Sequence, residues 1–294
     1  MSVVLRLTGH DKDLGGGFVV RRLLPSARRQ AVGPFLFFDH FGPVSVEPGA
    51  SHDVRPHPHI GLATVTYLFE GAIMHRDSLG FSQRIEPGAI NWMTSGKGIV
   101  HSERAPDDLR GTRYVNHGLQ LWAALPQASE EVPPAFIHTP AAAIPVIKVG
   151  ESDVRVLIGE AFGQASPVRT FSKTIYLDVM VAAGRRLELP PLAEELAVYP
   201  VDGDVLVDGE PVAARTLALL MPGQTTVMQC SARTRLMVIG GDALDAPRYI
   251  WWNFVSSRKE RIVQASDAWL TQTRDEVPGD AEFIPLPERR FFGG

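Results

Sequence analysis

The stretch RPHPHIGLATVTYLFEG, residues 55–71, holds the two patterns on which the reading of this chain turns. Its second half, Thr64–Gly71, alternates polar and apolar side chains and ends in a Glu-Gly turn, so a β-hairpin is expected there. Its first half sets His57 and His59 two residues apart. Side chains at i and i+2 of a strand share one face, about 6.5–7 Å apart, so both imidazoles can converge on one ion. Pro56 and Pro58 fix φ and reduce the entropy lost when the rings are held. They also remove two ladder donors, which predicts a strand at a sheet edge or barrel mouth.

Outward from this stretch the chain reads as short strands: Val3–Leu7, Phe18–Leu24, Ala63–Leu68, Gly71–His75, Gly118–Ala124, Val154–Ile158 and Thr174–Val181. Each is rich in branched or aromatic residues and bounded by turn formers. The 27 glycines and 23 prolines among 294 residues leave little room for long helices. Strands this short at this spacing predict an all-β sandwich or barrel, not a βαβ sheet. Leu196–Gly209 repeats the hairpin pattern with Asp-Gly turns, and Arg84–Gly88 has an echo in Leu220–Gly223. A β module used twice is therefore expected, the join falling in the proline-rich segment 126–150. The expected domains are 1–135, carrying the site, and 136–294. One helix is expected near the end, where Ser257-Arg-Lys-Glu260 fits a capping box and Ile262, Ala265 and Trp269 form an apolar stripe. The tail Gly279–Gly294 is expected to be extended.

Composition removes several function classes. Hydrophobic residues at 45% and charged residues at 21% are ordinary for a folded protein. Lys+Arg 29 against Asp+Glu 33 gives a net charge of -4, so the excess of cations that direct nucleic-acid binding needs is missing. No run of about 18 apolar residues could span a membrane. The one cysteine, Cys230, has no partner for an internal disulfide, and the N-terminus lacks an export pattern, so a cytoplasmic protein is expected. Cys230 itself is expected to be a buried thiol. All nine histidines precede residue 139, which confines any imidazole-built site to the first half.

Within that half, NWMTSGKGIVHSE (91–103) places His101 and Glu103 at i, i+2. With His57 and His59 this makes two same-face pairs, a three-histidine, one-carboxylate set suited to Fe(II), Mn(II), Ni(II), Cu(II) or Zn(II). On an octahedral ion such a set leaves two positions for a substrate and a small co-substrate such as O2. His117 reads as either a residue facing the metal or a buried strand residue. Asp39 and His40 read as either holding a ligand imidazole or completing a turn. Phe37, Phe38, Phe41, Met93 and Trp122 line a pocket or belong to the core. His10, His52, His75 and His138 read as surface or turn positions. Gly15-Gly-Gly17 lacks the Lys-Ser/Thr of a phosphate loop, and no nucleophile elbow is present.

PFLFFDHFGP (34–43), RPHPHIGLATVTYLFEG (55–71), WMTSGKGIVHSE (92–103), GLQLW (118–122) and YIWWNFVSSRKERI (249–262) together resemble the pirin family of the cupin superfamily. The resemblance spans nearly the whole chain. It implies a bicupin of two packed β-barrel (double-stranded β-helix) modules with a short C-terminal helix. It places the metal ligands on His57, His59, His101 and Glu103. Common cupins carry a glutamate after three or four residues that follow the H-x-H pair; here those positions are Ala63 and Thr64, and Glu103 stands in instead. The C-terminal module then resembles a cupin barrel without ligands. The activity implied is quercetin 2,3-dioxygenase: O2-dependent cleavage of a flavonol-like aromatic at one divalent metal, Fe(II) first, with Mn, Ni, Co, Cu and Zn open. Glu103 would also act as general base. The rival reading is a non-catalytic iron-binding redox sensor or co-regulator with a protein partner. A structural Zn(II) with closed coordination is a third.

Overall fold

The anticipated strand segments are all formed, in whole or in part, in the computed structural model, which describes every residue except 1, 16, 51, 272, 274, 290 and 292–294. The end of the tail expected to be extended thus lies partly outside the described residues. The H-x-H strand, Val54–His59, is the edge of a four-stranded sheet, as its two prolines require. Next to it runs the H-x-E strand Ile99–Arg104, then Ile73–Asp77, then Ser82–Ile85. A seven-stranded sheet has the order Ala135–Thr139, Ile90–Thr94, Leu62–Glu70, Tyr114–Ala124, Phe35–Val46, Val19–Leu24, His10–Asp13.

The same arrangement recurs later in the chain. Arg186–Leu189, Thr226–Gln229, Val205–Val207 and Glu210–Val212 form a second four-stranded sheet. Leu217–Leu220, Glu195–Pro200, Thr234–Gly241 and Thr174–Val181 are consecutive in a second seven-stranded one. Taken in chain order, the two sets match strand for strand, so the duplication expected from the sequence is a duplication of topology. This is a bicupin fold with one C-terminal helix. By compactness, one unit comprises Met1–Asp11, Arg21–Asp39 and Thr139–Leu244, and the other Lys12–Val20, His40–His138 and Asp245–Gly294. That grouping differs from a single cut near residue 135. Among the described residues no helix is long and apolar enough to cross a membrane.

Three local expectations are corrected. Thr64–Gly71 does not enter a hairpin: the strand Leu62–Glu70 pairs with Ile90–Thr94 and Tyr114–Ala124, whereas Ile73–Asp77 lies in the four-stranded sheet. The Glu-Gly turn carries the chain from one sheet to the other. Gly71 is needed there, at φ 87°, because a Cβ would lie 2.5 Å from the Val115 carbonyl oxygen. Leu196–Gly209 fails as a hairpin for the same reason; the hairpin is Val205–Val207 with Glu210–Val212 around Asp208-Gly209. The two Pro-Gly turns are not equivalent either. Pro87-Gly88 precedes Ile90–Thr94, whereas Pro222-Gly223 precedes Thr226–Gln229, the counterpart of the H-x-E strand.

The helix, Lys259–Leu270, buries Ile262, Ala265 and Trp269 as the stripe predicts. They pack with Phe254, Ile60 and Val100, so the helix covers the face of the four-stranded sheet opposite the histidines. Its cap differs from the expected box. Arg258 is the N-cap, with no side-chain capping bond, because Ser257 is held elsewhere. Its N–H and hydroxyl both donate to the carboxylate of Glu130, at 2.8 and 3.0 Å.

Candidate metal centre

In the four-stranded sheet, His101 lies directly opposite His57, and Ile99 opposite His59. Alternation then puts the three histidines on one face, while Val100 turns to the helix-covered face. One ligand nitrogen from each of His57, His59 and His101 lies within 4.8 Å of the others, and all three residues are buried. Among the described residues this is the one such group of three or more His, Cys, Asp or Glu side chains. Glu103 is not in it. A register shift between His101 and Glu103 sets Glu103 opposite Val54, and on the other side opposite His75.

The surroundings prepare two of the rings for a cation. His57 Nδ1 pairs with the Arg55 carbonyl at 2.9 Å and His59 Nδ1 with the Asn253 carbonyl at 3.0 Å. A carbonyl only accepts, so each Nδ1 carries the proton and each Nε2 keeps its lone pair free. His101 differs: both ring nitrogens are buried without a hydrogen-bond partner. Burial pushes the His57 imidazole down to about 4. Desolvation, with the neighbouring imidazoles adding to it, holds His59 and His101 well below the usual histidine value. All three are neutral near pH 7, the form that binds metal. Burial has the opposite sign on Glu103, whose carboxyl rises to about 7.

Three neutral imidazoles whose ligand atoms converge within 4.8 Å, one of them with both ring nitrogens buried and unsatisfied, fit a divalent transition ion of borderline softness. The other residues singled out from the sequence are distributed as follows. Trp122 sets its ring edge-on to His59, centroids 5.0 Å apart. Met93 packs with Ile99 and Phe136. His40 and His117 pair with each other, Nε2 to Nε2 at 2.8 Å. Asp39 takes a bidentate bond from Arg22, at 2.8 and 2.7 Å. Phe37 lies under Arg22, Phe38 against Tyr199 and Phe41 against Phe18. The carbonyls that orient His57 and His59 escaped sequence reasoning, because a backbone oxygen has no residue signature. The segment providing Asn253 did stand out in sequence, and Trp252 at φ 51° marks its tight turn. His75, expected at a surface or turn position, is instead a buried strand residue, 3% exposed, whose ring centroid lies 5.4 Å from that of His101.

Likeness to known proteins runs along the chain. The pirin family model matches residues 17–123, and the model for the pirin C-terminal cupin domain matches 176–274. A pirin-like protein of Caulobacter vibrioides is 45% identical over 94% of this chain and 96% of its own. A Pseudomonas aeruginosa protein whose provisional name is quercetin 2,3-dioxygenase is 37% identical over 95% of this chain and 85% of its own. Among solved structures, a quercetin 2,3-dioxygenase from Acinetobacter baumannii superposes with a TM-score of 0.90 at 32% identity, covering 98% of this chain and 95% of that one. Both halves of the chain, the one with the histidines and the one without, thus have their counterparts in a single family, and the protein belongs to the pirins.

Proposed function

We propose that this chain is a metal-dependent dioxygenase of pirin type that cleaves a flavonol-like aromatic with O2, the quercetin 2,3-dioxygenase reaction, and that it works in the cytoplasm. The observation that carries this reading is the convergence of the His57, His59 and His101 ligand atoms within 4.8 Å in a buried cluster. The names borne by a relative and a structural neighbour give the reaction class. His57, His59 and His101, joined by Glu103, would hold one divalent ion, Fe(II) in our assignment. When bound, the ion supplies Lewis-acid stabilisation of negative charge on a substrate oxygen and the redox capacity that a reaction with O2 needs.

The chain's own residues do the rest. His57 and His59 are fixed in one tautomer by the Arg55 and Asn253 carbonyls, so their Nε2 lone pairs are kept free without a proton to lose. Glu103 would also take a phenolic proton from the substrate at an Oε atom. Trp122, 6% exposed and set against His59, keeps bulk water from that side of the cluster.

Anaerobic loading with Fe(II), followed by quercetin and measurement of O2 uptake with carbon monoxide release, tests the proposal. The expected result is coupled O2 consumption and carbon monoxide formation, abolished in His57→Ala and Glu103→Ala. Retained turnover in both variants refutes the site. Stoichiometric iron without turnover refutes the oxygenase and favours an iron sensor or co-regulator.

A further inference from the structure

The buried face that carries the three histidines carries a second ionisable pair, which the proposed reaction does not use. His75 and Asp77 sit two residues apart on Ile73–Asp77, and across the ladder Asp77 faces His101 while His75 faces Glu103. They are 3% and 0% exposed. His75 Nε2 lies 2.9 Å from Asp77 Oδ2. The other oxygen, Asp77 Oδ1, accepts the N–H groups of Leu79 and Phe81 at 2.9 and 3.1 Å. The His75 ring stacks on Phe136, centroids 4.1 Å apart and planes 11° apart. Its orientation is therefore fixed by a hydrogen bond at one edge and by a ring on one face.

His101 needs such a neighbour. The rings of His57 and His59 are oriented by carbonyls, whereas neither nitrogen of His101 has a hydrogen bond. Its ring meets the two other histidines of the cluster and His75. Only His75 among them lies outside the cluster and is anchored independently of it. The duplicated module shows that the fold does not require this pair. There Leu187 lies opposite Met228, as His57 lies opposite His101, and Met228 in turn faces Val207, as His101 faces Asp77. The counterparts of Asp77 and His75 are then Val207 and Val205, both buried in an apolar core.

We propose that His75, pinned by Asp77 and Phe136, is the positioning residue that sets the orientation of the His101 imidazole. This rests on the reading of His57, His59 and His101 as metal ligands. Groups that hold ligands in place are worth about 10- to 100-fold in metal affinity.

The experiment is Co(II) titration of the metal-free full-length protein, read by affinity, visible absorption spectrum and the Tm before metal is added. His57→Leu is the control: wild-type Co(II) binding in that variant refutes the metal reading itself. If the control binds no Co(II), His75→Val is expected to bind about 10- to 100-fold more weakly with a shifted spectrum. Asp77→Asn keeps an acceptor for Leu79 and Phe81 while changing the partner of His75. It is expected to shift the spectrum with a smaller loss of affinity and a nearly unchanged Tm. Wild-type affinity and spectrum in both variants overturn the proposal. If His75→Val does not fold, Asp77→Asn decides alone, and a wild-type spectrum in it is the overturning result.

Discussion

Two four-stranded sheets of the same topology differ almost entirely in what they bury. One presents His57, His59, His101, His75 and Asp77; the other presents, at the corresponding pairings, Leu187, Leu189, Met228, Val205 and Val207. Both sets are buried and both strands orders are the same. The second sheet shows that this backbone is filled well by aliphatic side chains, which need no hydrogen-bond partners. The first set therefore costs stability in the metal-free chain, since buried polar atoms lose water and, at His101, gain nothing in return. On the proposed reading of this face as a metal site, a bound cation would offset that cost.

The comparison can be broken most directly by copying one sheet into the other. In His57→Leu/His101→Met, metal binding is expected to fall from about one ion per chain to below a tenth by elemental analysis, because a single imidazole of the three remains. The metal-free variant is expected to keep or raise its Tm, since apolar groups of similar size replace a His101 ring without partners and a His57 ring bonded to the Arg55 carbonyl. A collapse of the metal-free fold would show that the histidines serve the architecture, and the contrast between the sheets would lose its meaning.

What could be read in advance follows from the same contrast. The three histidines are legible because a strand's two-residue period places the H-x-H pair on one face, with His101 on the strand beside it; Glu103, read from the same period, lies outside the group of converging ligand atoms. The edge position of Val54–His59 was legible in Pro56 and Pro58. The burial of His75 was not, because it stands at the end of the expected strand, just before the polar Arg76-Asp77-Ser78, and the ring it stacks on, Phe136, is some 60 residues away. The crossings at Gly71 and after Pro200 read as hairpins for a related reason. A short turn looks the same locally whether the next strand pairs with the last or joins the opposite sheet, and only the long-range ladders decide.

Asp77 tests whether the polar set can be exchanged piece by piece. Asp77→Val installs the residue of the second sheet, yet it strips acceptors from Leu79 N–H, Phe81 N–H and His75. A loss of about 1–3 kcal/mol in metal-free stability is expected by urea unfolding, in contrast to the histidine replacements. Equal, near-zero effects would mean that the turn after Asp77 does not depend on its carboxylate.

Glu103 sharpens the contrast through pH. Its carboxyl stands at about 7 in the metal-free fold against 4.5 when unfolded, so the fold binds the extra proton between those values. The stability linked to that proton is complete below pH 4.5 and is lost as pH rises through 7. His57, lowered to about 4 from 6.5, acts in the other direction: its contribution is present above 6.5 and is lost as pH falls through 4. The Glu103→Gln variant removes only the first effect. Its metal-free Tm, compared with the parent at each pH, is expected to improve between pH 5 and pH 8. A constant difference across that range would mean that Glu103 ionises in the fold as it does in water.

The smallest expected effect lies at Cys230, two residues beyond Met228 as Glu103 is two beyond His101. Both side chains are pushed toward their neutral forms by burial, but the outcome differs with the chemistry of the group. A carboxyl near 7 still ionises within the physiological range and can serve a cation or accept a proton. A thiol raised from 9 stays protonated, and a protonated thiol neither binds metal nor attacks disulfides. Cys230 sits in the apolar core with Met228 and Val207. A disulfide reagent at pH 8 should leave it unmodified in the native protein and label it fully in denaturant. Cys230→Ala should cost about 1 kcal/mol, the loss of one buried group of methylene size. Rapid native labelling would make this position a reactive one, and the second sheet could then no longer be treated as the chemically silent copy.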